Sequence, residues 1–196
     1  AVLIVALLIG QRLDLVFAGG NGFNRMLDIS VAGMKSSVRR GETITTKSNE
    51  RQIAQIGNTT FIGMDERTEI VLDNLFDGHL EIHLTKGRIM IETVQPLTVT
   101  TNATKNTITN GTATIINYDF LQTIDVIPLT ADVSLKTKKT QSYSELHTAV
   151  RISEIDPYTI TSTTFSLSEG VAADFYKWFL KQRSEMIPPP SISDRS

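Results

Sequence analysis

Side chains able to do chemistry are sparse in this sequence, and one spacing could hold an ion: His79-x-Glu81-x-His83. Residues two apart in a strand project from the same face, about 7 Å per step. Two imidazoles and a carboxylate so placed are ligand types that divalent transition metals accept. A plainer reading competes. The three alternate with Leu80, Ile82 and Leu84, so a strand that buries those leucines and the isoleucine must turn its polar set outward. His147 stands alone, and no cofactor is expected. Asp65, Glu66, Glu69, Asp73 and Asp77 form an acidic stretch from which a glycosidase-like carboxylate pair or a calcium site could be drawn. They fall at turns and at polar positions of strands, without EF-hand spacing. The chain has no cysteine, which excludes disulfides, thiolate catalysis and Cys-ligated zinc. It also lacks G-x-S-x-G, a Walker loop and H-E-x-x-H. The expectation is a non-enzymatic protein, with an envelope hydrolase or metal-dependent enzyme as the weakest alternative.

The elements that must position these residues are mostly strands. From Gly41 to Tyr118 the chain runs through GETITT, RQIAQI, TEIVL, HLEIHL, RIMIETV, LTVTT and TATIINY. Turn signals recur about every ten residues at Gly57-Asn58, Met64-Asp65-Glu66, Asp73-Asn74, Asp77-Gly78 and Lys86-Gly87. Within RQIAQI, Ile53 and Ile56 are out of strict phase. Pro96 suits a strand start, and Asn110-Gly111 is a hairpin signal. LDISVA, FLQTIDVIPL, ADVSLKT, HTAVRIS and YTITSTTF add strand candidates, and VRRGE and KTKKT read as basic turns. This spacing predicts a mainly β fold, an antiparallel sandwich or roll of stacked short strands.

One soluble helix follows. Ser166-x-x-Glu169 has capping-box form, and GVAADFYKWFLKQRSEM places Val171, Phe175, Trp178 and Phe179 on one face, with Asp174, Lys177 and Lys181 on the other. Pro188, Pro189 and Pro190 end it. The aromatic face, with Phe175, Tyr176, Trp178 and Phe179, either lids the β core or contacts a partner protein or membrane interface.

The N-terminal run Ala1 to Gly10 is uninterruptedly apolar. It covers about half of the roughly 20 residues a membrane helix needs, and extension to Ala18 brings in Gln11, Arg12 and Asp14. A transmembrane helix, the apolar part of an export signal and a buried core element are the competing readings. In a membrane helix, Arg12 and Asp14 would each cost about 2.5–3.5 kcal/mol at mid-depth, so both are candidate partner contacts. The expected organisation is an anchor at 1–18, either whole or the last part of a longer helix, and a linker at 19–26. A β domain at 27–165, an amphipathic helix at 166–187 and a Pro-rich tail at 188–196 follow. With 196 residues and a formal net charge of −2 spread along the chain, there is room for one core and no basic footprint for nucleic acid.

Five segments taken together resemble the FecR-type domain: Gly41-Glu42-Thr43-Ile44-Thr45-Thr46, Thr68-Glu69-Ile70-Val71-Leu72, Leu80 to Leu84 with Lys86-Gly87-Arg88-Ile89, Pro96 with Val99-Thr100-Thr101, and Asn110-Gly111-Thr112-Ala113-Thr114. Their order matches the family's G-D-x-I-x-T opening, its L-x-L-x-x-G middle and its V-x-T…G-T close, over roughly residues 31–118. Glu42 replaces the family's Asp, and Ala113-Thr114 stands where an aromatic is usual. The resemblance implies a membrane-tethered extracytoplasmic β domain that contacts other proteins or envelope components, without the part that contacts a sigma factor. The leading expectation is therefore a single-span inner-membrane protein of bacterial type, its soluble domain periplasmic or extracellular. It would be an accessory or scaffold subunit of a larger membrane complex, its β domain contacting other subunits and its N-terminal helix the bilayer. The alternative is a FecR-like signal-relay or envelope-glycan-binding protein.

Overall fold

The computed structural model describes residues 26–31, 34–57, 59–76, 79–118, 120–137, 141–144, 146–156, 159–168 and 170–186. Among them are fifteen strands and one helix. The strands are β1 (Met26–Val31), β2 (Met34–Arg39), β3 (Thr43–Thr45), β4 (Gln52–Ile56), β5 (Thr60–Met64), β6 (Glu69–Phe76), β7 (His79–Thr93) and β8 (Leu97–Thr100). They continue with β9 (Thr104–Thr109), β10 (Gly111–Tyr118), β11 (Thr123–Pro128), β12 (Asp132–Thr137), β13 (Gln141–Ser144), β14 (Thr148–Ser153) and β15 (Ile160–Thr164), before α1 (Gly170–Met186).

The strands make one curled sheet with two walls. The first wall has the order β2-β1-β4-β5-β7-β10-β11-β14-β15, and the second β3-β6-β7-β8-β9-β12-β13. The long strand β7 belongs to both: Leu80 to Lys86 pair with β6, and Ile89 to Thr93 with β5. Ile82, Leu84, Leu97, Val99, Ile108 and Leu135 of the second wall meet Ile62, Ile89, Ile91, Ile115, Ile124 and Val126 of the first in a buried core. The opposite face of the first wall carries a second core: Ile53, Phe61, Met90, Ile116 and Ile127 lie under Phe175 and Phe179 of α1. A sheet covered on both faces needs apolar residues in both phases, which explains Ile53 and Ile56. Ile56 points into the core between the walls and Ile53 lies under the helix.

The phase change inside β7 controls the curl. Ile82 and Leu84 face the core, and so do Ile89 and Ile91, so the inward set moves from even to odd positions. A bulge provides the extra residue: Glu69 pairs with Lys86 while Ile70 pairs with Leu84. Asn117 Nδ2 donates to the Leu84 and Thr85 carbonyls, at 3.1 and 2.9 Å. Gly87 follows with φ +97, and a Cβ there would lie 2.5 Å from Thr68 Cα. Thr68 Oγ1 accepts the Arg88 N–H at 3.1 Å.

Several sequence expectations change. Lys86-Gly87 is no turn but the bend of a continuous strand, and Asp73-Asn74 is an irregularity within β6. Asn110-Gly111 does not close a hairpin. β9 pairs with β8 and β12, whereas β10 pairs with β7 and β11, so the turn carries the chain between walls. Gly111, at φ +139, lies against the Thr130–Ala131 backbone, where a Cβ would approach within 2.7 Å. The pairing is antiparallel except for β7 with β8, which is parallel from Leu80↔Leu97 to His83↔Thr100. β2 and β13 were not foreseen, and β1 starts at Met26, inside the expected linker. The helix opens at Gly170, after the capping-box position; the Ser166 hydroxyl instead accepts the Ser168 N–H at 3.3 Å. The anchor at 1–18, Asp77-Gly78, Glu169 and the tail at 188–196 lie outside the described residues. No described helix is long and apolar enough to cross a membrane.

Gly87→Ala should lower unfolding stability by about 2–3 kcal/mol, because it combines a left-handed φ with a backbone clash. Urea unfolding tests this. A loss below about 0.5 kcal/mol would show that the bend tolerates a side chain and does not set the curl.

Candidate functional site

The polar face of β7 is where the alternation places it, opposite Ile82 and Leu84. His79 is exposed, Glu81 accepts Lys105 Nζ at 3.2 Å, and His83 Nδ1 lies 3.0 Å from Thr100 Oγ1. The Thr100 hydroxyl in turn donates to the Ile82 carbonyl at 3.3 Å, which leaves the His83 Nδ1–H as donor to it. Neighbours on β8 and β9 thus engage Glu81 and His83 separately. Among the described residues no three His, Asp or Glu groups come together around a common ion position.

The acidic stretch also disperses. Glu66 accepts the Asn49 N–H at 2.8 Å, Glu69 faces Lys86 at 3.6 Å, and Asp73 is half-buried on β6. Asp77 lies outside the described residues. Asp65 differs, being buried at the end of β5 between two arginines. Arg51 Nε–H donates to its Oδ1 at 2.8 Å, and Arg88 Nη1 to its Oδ2 at 3.1 Å. Arg88 Nη2 continues to the Tyr118 hydroxyl at 3.2 Å. A buried carboxylate needs such partners, since desolvation outweighs any single weak contact.

This network meets the helix through Arg51. Its guanidinium carbon stands 5.6 Å from the Phe175 ring centre and 5.9 Å from that of Trp178, and those two rings stack at 14° and 5.7 Å. Farther along α1, Arg183 pairs with Glu92 of β7 and sits 5.8 Å from the Phe61 ring centre. Phe179 packs so closely over Gly63 that a Cβ there would meet its ring at 2.5 Å. Of the four aromatic partner candidates, Phe175 and Phe179 are therefore fully buried against the chain's own sheet, while Tyr176 and Trp178 are half-buried. Arg12 and Asp14 lie outside the described residues.

Trp178, Arg51, Glu66 and Asn49 line an open polar cleft of about 410 Å³ where the helix meets two facing turns. Asn49 and Arg67 take left-handed backbone conformations there, with φ 61 and 55. The Lys47 backbone N–H, with Gln52 second, holds the Glu50 carboxyl below the usual carboxylate range. Along the same outer face of the first wall, Arg151 grips Asp125 with two 2.7 Å bonds, and those bonds raise the guanidinium pKa. Neither the Asp65 network nor the cleft was foreseen. The available signal was a pair of charged residues, Arg88 and Glu92, in phase with the apolar Met90 on β7.

No known sequence family matches the chain, and no curated protein matches it. Two crystal structures of a "putative anti-sigma factor" from Parabacteroides distasonis ATCC 8503, at 2.50 and 1.65 Å resolution, share its fold. Each superposes on 65% of this chain with a TM-score of 0.58 and 11% identity. The chain spans 61% of the length of those structures. At this identity the likeness is one of fold.

Two substitutions probe the docked helix, with Trp178, the sole tryptophan, as reporter. Phe179→Ala should cost about 3–5 kcal/mol and shift Trp178 emission towards that of exposed indole. Asp65→Asn should cost about 2 kcal/mol by leaving two half-buried guanidinium groups short of a carboxylate. Unchanged denaturation midpoints for both would mean that the helix and network do not stabilise the fold.

Proposed function

We propose that this chain is the extracytoplasmic relay domain of a membrane-tethered regulator of the FecR type, working by protein contact rather than by catalysis. The observation that carries this reading is the fold shared with the anti-sigma-factor structures over 65% of the chain. It favours the signal-relay alternative over the accessory-subunit expectation. The residue pattern adds independent support. Gly87 and Gly111 of the FecR-like segments occupy positive-φ positions where a side chain would strike backbone. Thr46, which closes the first segment, is buried and accepts the Thr68 N–H at 2.9 Å while donating to the Asp65 carbonyl at 2.5 Å. The family-like residues are thus ones on which this fold depends.

In this reading residues 1–18 tether the domain, and the β body faces the periplasm or exterior, where it meets an envelope protein whose state is relayed. The helix, seated by Phe175 and Phe179, is part of the body. Relay then works through the remaining exposed edges and ends of the sheet, or through release of the helix.

The test is overproduction in the native host of residues 19–196 behind a cleavable export signal. Free domain should compete for the envelope partner and change transcripts of one alternative sigma factor's promoters several-fold. Unchanged transcripts, with the exported domain shown to be folded, would overturn the relay reading. Recovery of the native protein in a stoichiometric, detergent-stable membrane complex would instead favour the accessory-subunit role.

A further inference from the structure

Strand edges offer unpaired N–H and C=O groups, and proteins usually blunt them with charge, proline, bulges or short length. Three edges here follow that practice. β3 has three residues, β13 has four, and β2 carries Lys35 and Arg39. β15, the edge of the first wall, does not. Its sequence Ile160-Thr161-Ser162-Thr163-Thr164 has no charge and no proline, and it pairs with β14 in unbroken register from Thr148↔Thr164 to Ile152↔Ile160. Among the described residues β14 is its one strand partner, and Thr161 to Thr164 are all exposed.

Apolar side chains flank this edge at both ends. Ile155, 78% exposed, lies in the connection from β14 to β15. Leu146, 53% exposed, precedes β14 at the opposite end, where the Phe165 N–H bonds the His147 carbonyl at 3.0 Å and prolongs the ladder. Phe120 and Leu121 enlarge the Ile155 end, because the Glu154 N–H bonds the Gln122 carbonyl of their turn at 2.8 Å.

We propose that β15 is a self-association edge, through which two copies of the chain pair antiparallel about a two-fold axis centred on Ser162. A closed two-fold contact must be self-complementary, each residue meeting its counterpart reciprocally. This register satisfies that requirement. Thr161 faces Thr163 of the second copy and Ile160 faces Thr164, pairs without charge repulsion and with the β-branched character that cross-strand packing favours. The antiparallel arrangement also brings Ile155 of each copy to the end of the strand where the other copy has Leu146. A strand from an unrelated protein could use the edge, but apolar groups at both ends are what a second copy needs. Pairing would join the first walls of two chains into one continuous sheet. This inference goes beyond the relay reading and does not depend on it.

Sedimentation velocity on the whole chain across a concentration series tests the proposal, with paired charge variants. The wild-type chain should pass from monomer to dimer. Thr161→Lys with Thr163→Lys, and separately Thr161→Glu with Thr163→Glu, should each weaken the dimer about tenfold or more, because like charges then face each other. Mixing the Lys and Glu chains should restore a heterodimer, an outcome misfolded variants could not give. Ile155→Ser should weaken the wild-type dimer without changing the thermal midpoint of the monomer. A wild-type chain that stays monomeric while its β15 amides exchange freely overturns the proposal. So does a dimer that survives the lysine pair, which would place the contact on another face.

Discussion

The structure depends on one strand changing its phase. β7 is 15 residues long and central to both walls, and its inward set must shift from Ile82 and Leu84 to Ile89 and Ile91 for both halves to line the same core. A strand in strict alternation would put Ile89 and Ile91 outside. The bulge before Lys86 and the left-handed Gly87 make the shift, and buried hydrogen bonds fix it from both sides. Asn117, from the first wall, takes the carbonyls of Leu84 and Thr85, while Thr68, held by the Thr46 hydroxyl, closes over Gly87. Unpaired carbonyls at a buried bend would be costly, so a bend of this kind persists where side chains can satisfy them. The curl of the sheet, and hence the existence of an inner core, follows from that local solution.

The same bend marks the limit of what could be read from the sequence. The alternation in HLEIHL and the phase reversal in RIMIETV are plainly visible, and Gly87 marks the place. A hairpin turn and a bulge both reverse phase, however, and local pattern does not distinguish them; the difference lies in Thr68 and Asn117, 19 and 30 positions away in the chain. Asn110-Gly111 failed for a related reason. Its residues adopt the positive φ values that hairpin chemistry foretells, 43 and 139, yet the strands it joins belong to different walls. Turn propensity is local, and the choice of pairing partner is not. The helix was legible because its 3.6-residue period and its proline stop lie within one continuous segment.

Ile53 and Ile56 show how a departure from pattern can itself inform. Apolar residues three apart in a short strand contradict a one-sided sheet, and the contradiction disappears once α1 covers the outer face. The site residues divide in the same manner. His79, Glu81 and His83 could be assigned to an outward face because Leu80, Ile82 and Leu84 oppose them within one strand. Asp65 could not be assigned, since its burial depends on Arg51, just before β4, and Arg88 from β7 converging on it.

That convergence bears on how the helix is held. Apolar contact alone would let a helix with two buried phenylalanines slide or rotate over a flat sheet, since hydrophobic burial is non-directional. The charged groups stand at the margin of the helix footprint and remove that freedom. Arg51, fixed by Asp65, receives the Phe175 and Trp178 rings near one end, and Glu92 receives Arg183 near the other. Glycine at position 63 leaves the depression into which Phe179 fits. Three separated constraints define both the axial position and the rotation of the helix, whereas any one of them would not. The aromatic face is consequently committed to the chain's own sheet while the helix is docked. Another protein can reach the apolar face beneath only where the Arg51 and Arg183 contacts are broken together.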